Sequence, residues 1–120
     1  MRPKILIVDD NKELRETLIQ FIDNEGLDVD LEQASSGELA IQIARENKPD
    51  IVLMDLRLPK MNGIDAAERI KEENPKTKIF VLTMFEVEEF KRAYSKDKIE
   101  AIIPKSEMYD RLIPLLRKCL

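Results

Sequence analysis

Two short stretches of this chain are apolar without interruption and end on acids. The first, residues 5–8 (ILIV), is followed at once by Asp9 and Asp10, and the second, residues 51–54 (IVLM), is followed by Asp55. Short, continuously apolar runs are typical of parallel strands that are buried on both faces. The carboxyl ends of such strands share one edge of an open sheet, which is where ligands bind. We therefore expect the three acids to meet at one sheet edge.

Strand-like and helix-like segments alternate along the chain. The strand-like runs cover residues 4–9, 29–34, 51–55, 78–83 and 101–104. The segments between and after them carry apolar residues every three or four positions, which indicates amphipathic helices. Five such β-α units in 120 residues predict an α/β fold with a doubly wound, five-stranded parallel sheet and helices on both faces. No repeat or linker interrupts the pattern, so we expect a single domain over residues 1–120.

Polar residues and one proline predict where helices begin or break. Asn11 is the candidate N-cap of the first helix, the third helix begins near Asn62, and Ser106 is the candidate N-cap of the last. Pro114 lies about two turns into that last helix, where a proline removes a backbone hydrogen bond and costs ~3 kcal/mol. We therefore expect a kink or an early break at Pro114.

Composition excludes several classes of site. The chain contains no histidine, which excludes Ser-His catalysis and histidine metal sites. Its single cysteine, Cys119, cannot form an internal disulfide and is compatible with a reducing cytoplasm, where we expect the protein to act. A net charge of −4 argues against direct binding of nucleic acid. We expect no membrane interaction, since no signal peptide or apolar run of spanning length is recognisable.

The acids at the predicted sheet edge indicate a metal site. Three carboxylates brought together repel one another, which stability alone does not explain. A hard cation such as Mg²⁺ prefers oxygen ligands and would offset that repulsion, so Asp9, Asp10 and Asp55 are candidate ligands. The plainer alternatives are acids at the N-terminus of the first helix, where the dipole favours them, and a strand-end acid that caps the following loop.

The chain resembles the receiver domains of two-component response regulators along essentially its whole length. The matching pieces are residues 5–11, the segment 51–59 (IVLMDLRLP), residues 61–63 (MNG), residues 81–83 (VLT) and Lys105. The resemblance implies a flavodoxin-like sheet with strand order 2-1-3-4-5. It also implies a phosphorelay protein that accepts a phosphoryl group on an aspartate and then switches a partner or an output domain.

The resemblance assigns a role to each of five residues. Asp55 is the implied phosphoryl acceptor, and a carboxylate is a competent nucleophile toward phosphorus when a cation neutralises the incoming charge. Asp9, Asp10 and Asp55 are the implied Mg²⁺ ligands. Thr83 would donate a hydrogen bond to a phosphoryl oxygen, and Lys105 would pair with Asp55 and later with its phosphate. Such a protein is not an enzyme in the usual sense, because it catalyses only its own phosphoryl transfer and hydrolysis.

The resemblance also implies partners. A sensor histidine kinase or a histidine phosphotransfer protein would supply the phosphoryl group. Residues 82–85 are most similar to receivers that precede a helix-turn-helix domain, which implies a DNA-binding output domain outside this chain and a role in transcription. A homodimer through the fourth helix, the fifth strand and the fifth helix is a further implied contact.

Three residues depart from the receiver pattern. Ile102 stands where receivers commonly carry an aromatic, Met84 where a small residue follows the threonine, and Ser106 where a proline follows the lysine. Ile102 cannot reproduce an aromatic switch, and a bulky Met84 would restrict the approach of water and small phosphodonors. We therefore predict slow loading from small donors and a long-lived phosphoryl group.

Two alternatives to a switching receiver stay open at this point. One is an interaction module that keeps the fold and works without phosphorylation, for which Ile102 and Met84 argue. The other is a phosphohydrolase with an aspartyl intermediate, similar to the haloacid dehalogenase group. Enzymes of that group have a second acid two residues after the nucleophile, whereas Asp9 is followed by Asp10 and Asn11.

Overall fold

The computed structural model describes residues 2–84 and 99–120. Five strands and four helices form there, joined at one point by a 3-10 turn over Lys105–Glu107. In chain order these elements are β1 Lys4–Val8, α1 Lys12–Asn24, β2 Asp30–Ala34, α2 Gly37–Asn47, β3 Ile51–Asp55, α3 Gly63–Glu73, β4 Lys78–Thr83, β5 Ala101–Pro104 and α4 Met108–Cys119. The helical pattern that the sequence predicts around residues 87–94 lies outside the described residues.

The five strands form one parallel sheet in the order β2-β1-β3-β4-β5. The predicted doubly wound sheet and its order 2-1-3-4-5 are therefore confirmed. Val8 of β1 lies opposite Met54 of β3, and Thr83 of β4 lies opposite Pro104 of β5. This register brings the carboxyl ends of four adjacent strands to one edge, together with the polar residues that end or follow them.

Alternate residues of the strands face two separate apolar cores. Leu6 and Val8 belong to the core beneath α2 and α3, whereas Ile5 and Ile7 belong to the core beneath α1 and α4. All five positions of β3 are buried, which explains why its sequence is apolar up to the acid at its end. Helices therefore cover both faces, as predicted. Among the described helices, none has both the length and the apolar character needed to cross a membrane.

Two of the predicted helix starts are confirmed. The side chain of Asn11 accepts a hydrogen bond from the Leu14 N–H at 3.2 Å, and that of Asn62 accepts one from the Asp65 N–H at 2.8 Å. Both are N-caps, in which a side-chain oxygen satisfies an N–H that the first helical turn leaves free. The Asn11 cap starts α1 directly after the acids of β1, so the turn that carries those acids is short and fixed at both ends.

The predicted start of the last helix was wrong. Ser106 does not cap it, because Ser106 lies inside the 3-10 turn over Lys105–Glu107. The α-helix begins at Met108, with Glu107 at the N-cap position and no side-chain capping bond. The 3-10 turn continues β5 without a loop, so Ser106 is already part of a helical turn at the point where an N-cap must be extended.

Of the kink or early break predicted at Pro114, the early break was wrong. The helix α4 continues through Pro114 to Cys119. Leu112, Ile113 and Leu116 are buried on its inner face. Pro114 is exposed, and so is Asp110, whose carbonyl would accept the N–H that proline lacks. Burial of the inner face outweighs the local cost of the proline.

Candidate functional site

The carboxyl edge of the sheet brings together the five residues predicted for the site. Asp9 follows β1, Asp55 ends β3, Thr83 ends β4 and Lys105 follows β5. The first three are buried, whereas Asp10 is exposed beside them. A pocket of about 210 Å³ opens at this edge. It is lined by Asp10, Asp55, Leu56, Arg57, Thr83, Met84 and Lys105.

Three carboxylates and one ammonium group form the centre of the site. Each of Asp9, Asp10 and Asp55 has a carboxylate oxygen within 4.8 Å of those of the other two. The Nζ of Lys105 lies 3.3 Å from Asp9 Oδ2 and 3.2 Å from Asp55 Oδ1. Lys105 therefore bridges the two buried acids and offsets part of their repulsion.

The pKa of Asp55 is raised above its ordinary value. The largest cause is burial, which disfavours the charged form, and the second is repulsion from the Asp9 carboxylate. Lys105 and the backbone N–H of Arg57 act in the opposite direction, because both stabilise the carboxylate. A cation bound among the acids would add to the effect of Lys105 and lower the pKa of Asp55, which would favour the ionised, nucleophilic form.

Asp9 is held by contacts to four parts of the chain. Its Oδ1 accepts a hydrogen bond from the Asn11 N–H at 2.8 Å, and its Oδ2 accepts one from Lys105 at 3.3 Å. Its own N–H donates to the Ala34 carbonyl of β2 at 3.2 Å. Its carbonyl oxygen accepts a hydrogen bond from Arg15 Nη1 at 2.7 Å. These contacts fix both the backbone and the carboxylate of Asp9.

The loop after Asp55 folds back tightly on the end of β3. The Gly63 N–H donates to the Leu56 carbonyl at 2.8 Å. A Cβ atom at position 63 would lie 2.1 Å from the carbonyl oxygen of Asp55, so only glycine allows this approach. Within the same loop Lys60 adopts a left-handed conformation with φ of 67°. The start of α3 thus packs directly against the backbone of Asp55.

Sequence reasoning missed two residues that shape the site. Arg15 was not singled out, because an arginine one turn inside an amphipathic helix gives no signal of a contact with a strand end. Gly63 was noted only as part of the MNG segment, without a physical reason. The signal that could have found it is the position of this glycine, eight residues after Asp55 and at the start of a helix. A glycine in such a place indicates a close backbone approach.

The donor set fits a hard divalent cation. Carboxylate oxygens are the ligands that Mg²⁺ prefers, and Mg²⁺ needs only one or two of them because it retains several waters. Asp10 is exposed, which gives an ion access from solvent. The ammonium of Lys105 already lies between Asp9 and Asp55, so the site accommodates positive charge next to both buried acids.

Comparison with known proteins decides the family. A family model described as the response regulator receiver domain matches residues 5–117. The chain belongs to the response regulator receiver domain family. Receiver domains are phosphoryl-accepting regulators of two-component systems that receive their phosphoryl groups from histidine kinases and bind Mg²⁺ at an acidic pocket. This assigns the chain to a family of regulators rather than of conventional enzymes.

Two relatives of this receiver domain are longer proteins. It is 46% identical over 81 residues to the autoinducer 1 sensor kinase/phosphatase LuxN of Vibrio campbellii, a match that covers 68% of this chain and 9% of LuxN. It is 31% identical over 116 residues to the response regulator GacA of Pseudomonas aeruginosa, which covers 96% of this chain and 54% of GacA. The receiver domain thus spans about half of GacA and a small part of LuxN.

Solved structures agree with this assignment. A two-component response regulator of the LuxR family from Aurantimonas is 26% identical with a TM-score of 0.88, over 98% of this chain and 84% of that one. The response regulator TrrA of Thermotoga maritima, solved in complex with Mg(2+)-BeF, is 27% identical with a TM-score of 0.87. That match covers 98% of this receiver domain and 99% of TrrA. Both neighbours share the fold over nearly the whole chain.

The structure places two of the departures from the receiver pattern. Met84 lines the pocket with 78% of its surface exposed, so it borders the mouth of the pocket and does not fill it. Ile102 is buried in the core beneath α2 and α3, next to Val81 in the sheet. The effect of either residue on switching stays a prediction. The aromatic residues that follow Met84 in the chain, at positions 85, 90 and 94, lie outside the described residues.

Proposed function

We propose that this receiver domain accepts a phosphoryl group on Asp55 from the phosphohistidine of a sensor histidine kinase or a histidine phosphotransfer protein. The observation that carries the proposal is the position of Asp55. Its buried carboxylate ends the central strand β3, within 4.8 Å of two other carboxylates and 3.2 Å from the Lys105 ammonium. Stability alone does not explain such a cluster, whereas an anionic substrate that arrives with a divalent cation does.

The proposed reaction is a displacement at phosphorus. An Oδ atom of Asp55 forms the new O–P bond, the N–P bond of the phosphohistidine breaks, and its electron pair stays on the imidazole of the donor. Asp55 needs no general base, because its attacking form is already the carboxylate. The Lys105 ammonium, which now bridges Asp9 and Asp55, would move onto a phosphoryl oxygen. The Thr83 hydroxyl would donate to another.

Asp9, Asp10 and Asp55 would hold the Mg²⁺ ion. When bound, Mg²⁺ would neutralise the charge that builds up between the carboxylates and the incoming phosphoryl group. The hydrogen bond from the Asn11 N–H orients the Asp9 carboxylate, and Asp10 lies at the solvent side of the cluster. This arrangement suits an ion that arrives from water and keeps part of its hydration shell.

Phosphorylation would change the charge and contacts at the end of β4. A phosphoryl group adds about −1.5 to −2 charges and three acceptor oxygens. The Thr83 hydroxyl would follow these oxygens, which would shift the end of β4 with the exposed Met84 and alter a partner surface there. Hydrolysis of the acyl phosphate would reset the protein, so that it catalyses only its own phosphoryl transfer and hydrolysis.

We propose that residues 1–120 form one receiver domain that acts in the cytoplasm, where its kinase would present the phosphohistidine. A DNA-binding output domain outside this chain is supported by relatives such as the transcriptional regulatory protein YdfI of Bacillus subtilis, 40% identical over 82 residues. A homodimer would use the helix predicted around residues 87–94, which lies outside the described residues. It would also use β5 and α4, and α4 corresponds to the predicted fifth helix.

Phosphoryl uptake tests the assignment of Asp55. Incubation with Mg²⁺ and a small phosphodonor should add one phosphoryl group, seen by intact mass, and hydroxylamine should remove it as it removes acyl phosphates. Asp55→Asn should take up none. Asp50→Asn is the matched control, because Asp50 precedes β3 at the opposite edge of the sheet and its carboxylate accepts the Lys4 N–H at 2.8 Å. Label that persists in Asp55→Asn, or that resists hydroxylamine, contradicts the assignment.

A further inference from the structure

Arg15 links three parts of the chain next to the acidic cluster. Its Nη1 donates to the carbonyl oxygen of Asp9 at 2.7 Å, and its Nε donates to Gln33 Oε1 at 2.9 Å. Asp9 lies one residue beyond β1, so its carbonyl is outside the hydrogen-bonding ladder of that strand. Arg15 thus connects α1 to the end of β1 and to β2.

The same short turn is closed from its other side. The Asn11 N–H donates to Asp9 Oδ1 at 2.8 Å, and the Asn11 side chain caps α1. Asp10 lies between these two fixed residues and is exposed. Because no dense packing surrounds an exposed side chain, the direction of the Asp10 carboxylate depends mainly on the backbone of this turn. A contact that fixes the turn therefore also fixes the relative placement of two candidate metal ligands.

We propose that Arg15 is a positioning residue that sets the Mg²⁺ affinity of the site by holding the turn from Asp9 to Asn11. This inference rests on the proposed function, in which Asp9 and Asp10 are Mg²⁺ ligands. Groups that orient metal ligands without touching the metal commonly change affinity by about 10–100-fold when they are removed. Mg²⁺ is sensitive to such changes because it demands nearly ideal octahedral geometry.

The charge of Arg15 would act in the opposite direction. A guanidinium near a cation site repels the cation, so removing the charge alone would strengthen Mg²⁺ binding. That effect is small here, because Arg15 is half-buried at the surface, where water and salt screen it. Its Nη1 also bonds a neutral carbonyl and not a carboxylate. The sign of the change in Mg²⁺ affinity therefore distinguishes positioning from charge.

The test is the Mg²⁺ dependence of the melting temperature, with calorimetry of Mg²⁺ binding as a second readout. Arg15→Gln should raise the Mg²⁺ dissociation constant about tenfold. Arg15→Lys should recover only part of that loss, because an ammonium cannot bridge the Asp9 carbonyl and Gln33 as the planar guanidinium does. Gln33→Leu keeps the charge of Arg15 and removes only the acceptor of its Nε hydrogen bond. This change should weaken Mg²⁺ binding by about threefold.

Lys12→Gln is the matched control, since it removes a positive charge from the first turn of the same helix. Lys12 is exposed and pairs with Glu16 at 3.8 Å, so this change should leave the Mg²⁺ constant within about twofold. Tighter Mg²⁺ binding in Arg15→Gln overturns the inference, as does a lower melting temperature with an unchanged Mg²⁺ constant. If Mg²⁺ does not stabilise even the parent protein, the proposed metal site falls and this inference falls with it.

Discussion

Replacing Gly63 by alanine should both destabilise the protein and displace Asp55. Gly63 is the first residue of α3, and its ideal Cβ would lie 2.1 Å from the Asp55 carbonyl oxygen, 2.9 Å from the Asp55 carbonyl carbon and 3.0 Å from the Leu56 Cα. All three atoms belong to backbone, so no side chain can rotate away. Either the end of β3 or the start of α3 must move by roughly 1 Å to relieve the contact.

The expected loss of stability follows from two opposing effects. Inserting a methyl group into a tightly packed region typically costs about 1–3 kcal/mol, and the rigid backbone here favours the upper part of that range. The higher helix propensity of alanine returns at most ~1 kcal/mol. We therefore expect the free energy of unfolding to fall by about 2 kcal/mol, measured by urea denaturation at neutral pH.

Gly37→Ala is a matched control because Gly37 is the first residue of α2. A Cβ there would meet the Met61 sulfur at 3.2 Å and the Ala66 Cβ at 3.3 Å. The Met61 side chain is flexible and can yield, so we expect a change of less than about 1 kcal/mol. The difference between the two variants isolates the backbone contact at Gly63 from the general effect of replacing a helical glycine.

Phosphoryl uptake supplies the functional half of this prediction. If the end of β3 moves, the Asp55 carboxylate moves with it, and a misplacement of about 1 Å can cost roughly 100-fold in rate. Uptake by folded Gly63→Ala should therefore fall by at least tenfold relative to Gly37→Ala. Equal stability of the two variants would refute the packing argument. Normal uptake in a destabilised Gly63→Ala would show that α3 moves and β3 does not.

Three further predictions concern stability and the kinetics of the site. The raised pKa of Asp55 means that its carboxylate binds a proton more tightly in the folded protein than in the unfolded chain, where its pKa is near 3.8. Stability is therefore lost as pH rises from that value through the raised pKa. Asp55→Asn should raise the melting temperature in metal-free buffer at neutral pH, with a gain that shrinks toward pH 3.8; a constant gain would contradict this account. Pro114→Ala should restore an N–H inside α4 and stabilise the protein by about 2 kcal/mol in urea denaturation, after the entropy that proline removes from the unfolded chain is allowed for; no gain would mean that α4 already accommodates the proline. Met84→Ala should speed both phosphoryl loading from small donors and its loss, because Met84 borders the pocket; unchanged rates would rule out crowding by Met84.

The sequence was sufficient to predict the sheet and the edge at which the acids meet. Buried parallel strands must be apolar on both faces, so the acids that follow residues 5–8 and 51–54 stood out, and parallel pairing then required them to meet. The predicted start of the last helix was wrong. Serine is a favoured N-cap residue, but Ser106 lies inside a 3-10 turn, which overrides that preference. Arg15 and Gly63 could not be assigned, since their roles depend on tertiary contacts that have no periodic signal.

The bridge made by Lys105 joins residues that are 96 positions apart in the chain. Asp9 follows β1 and Asp55 ends β3, which are neighbours inside the sheet, whereas Lys105 follows β5 at the outer edge. A folding chain can pair β1 with β3 before β5 arrives, and at that stage Asp9 and Asp55 face each other without this ammonium. The last of the five described strands in chain order therefore brings the counter-charge for the two acids. Until β5 joins the sheet these two buried carboxylates repel each other without the Lys105 ammonium, so closing the sheet and balancing the charge of the acidic cluster are one step.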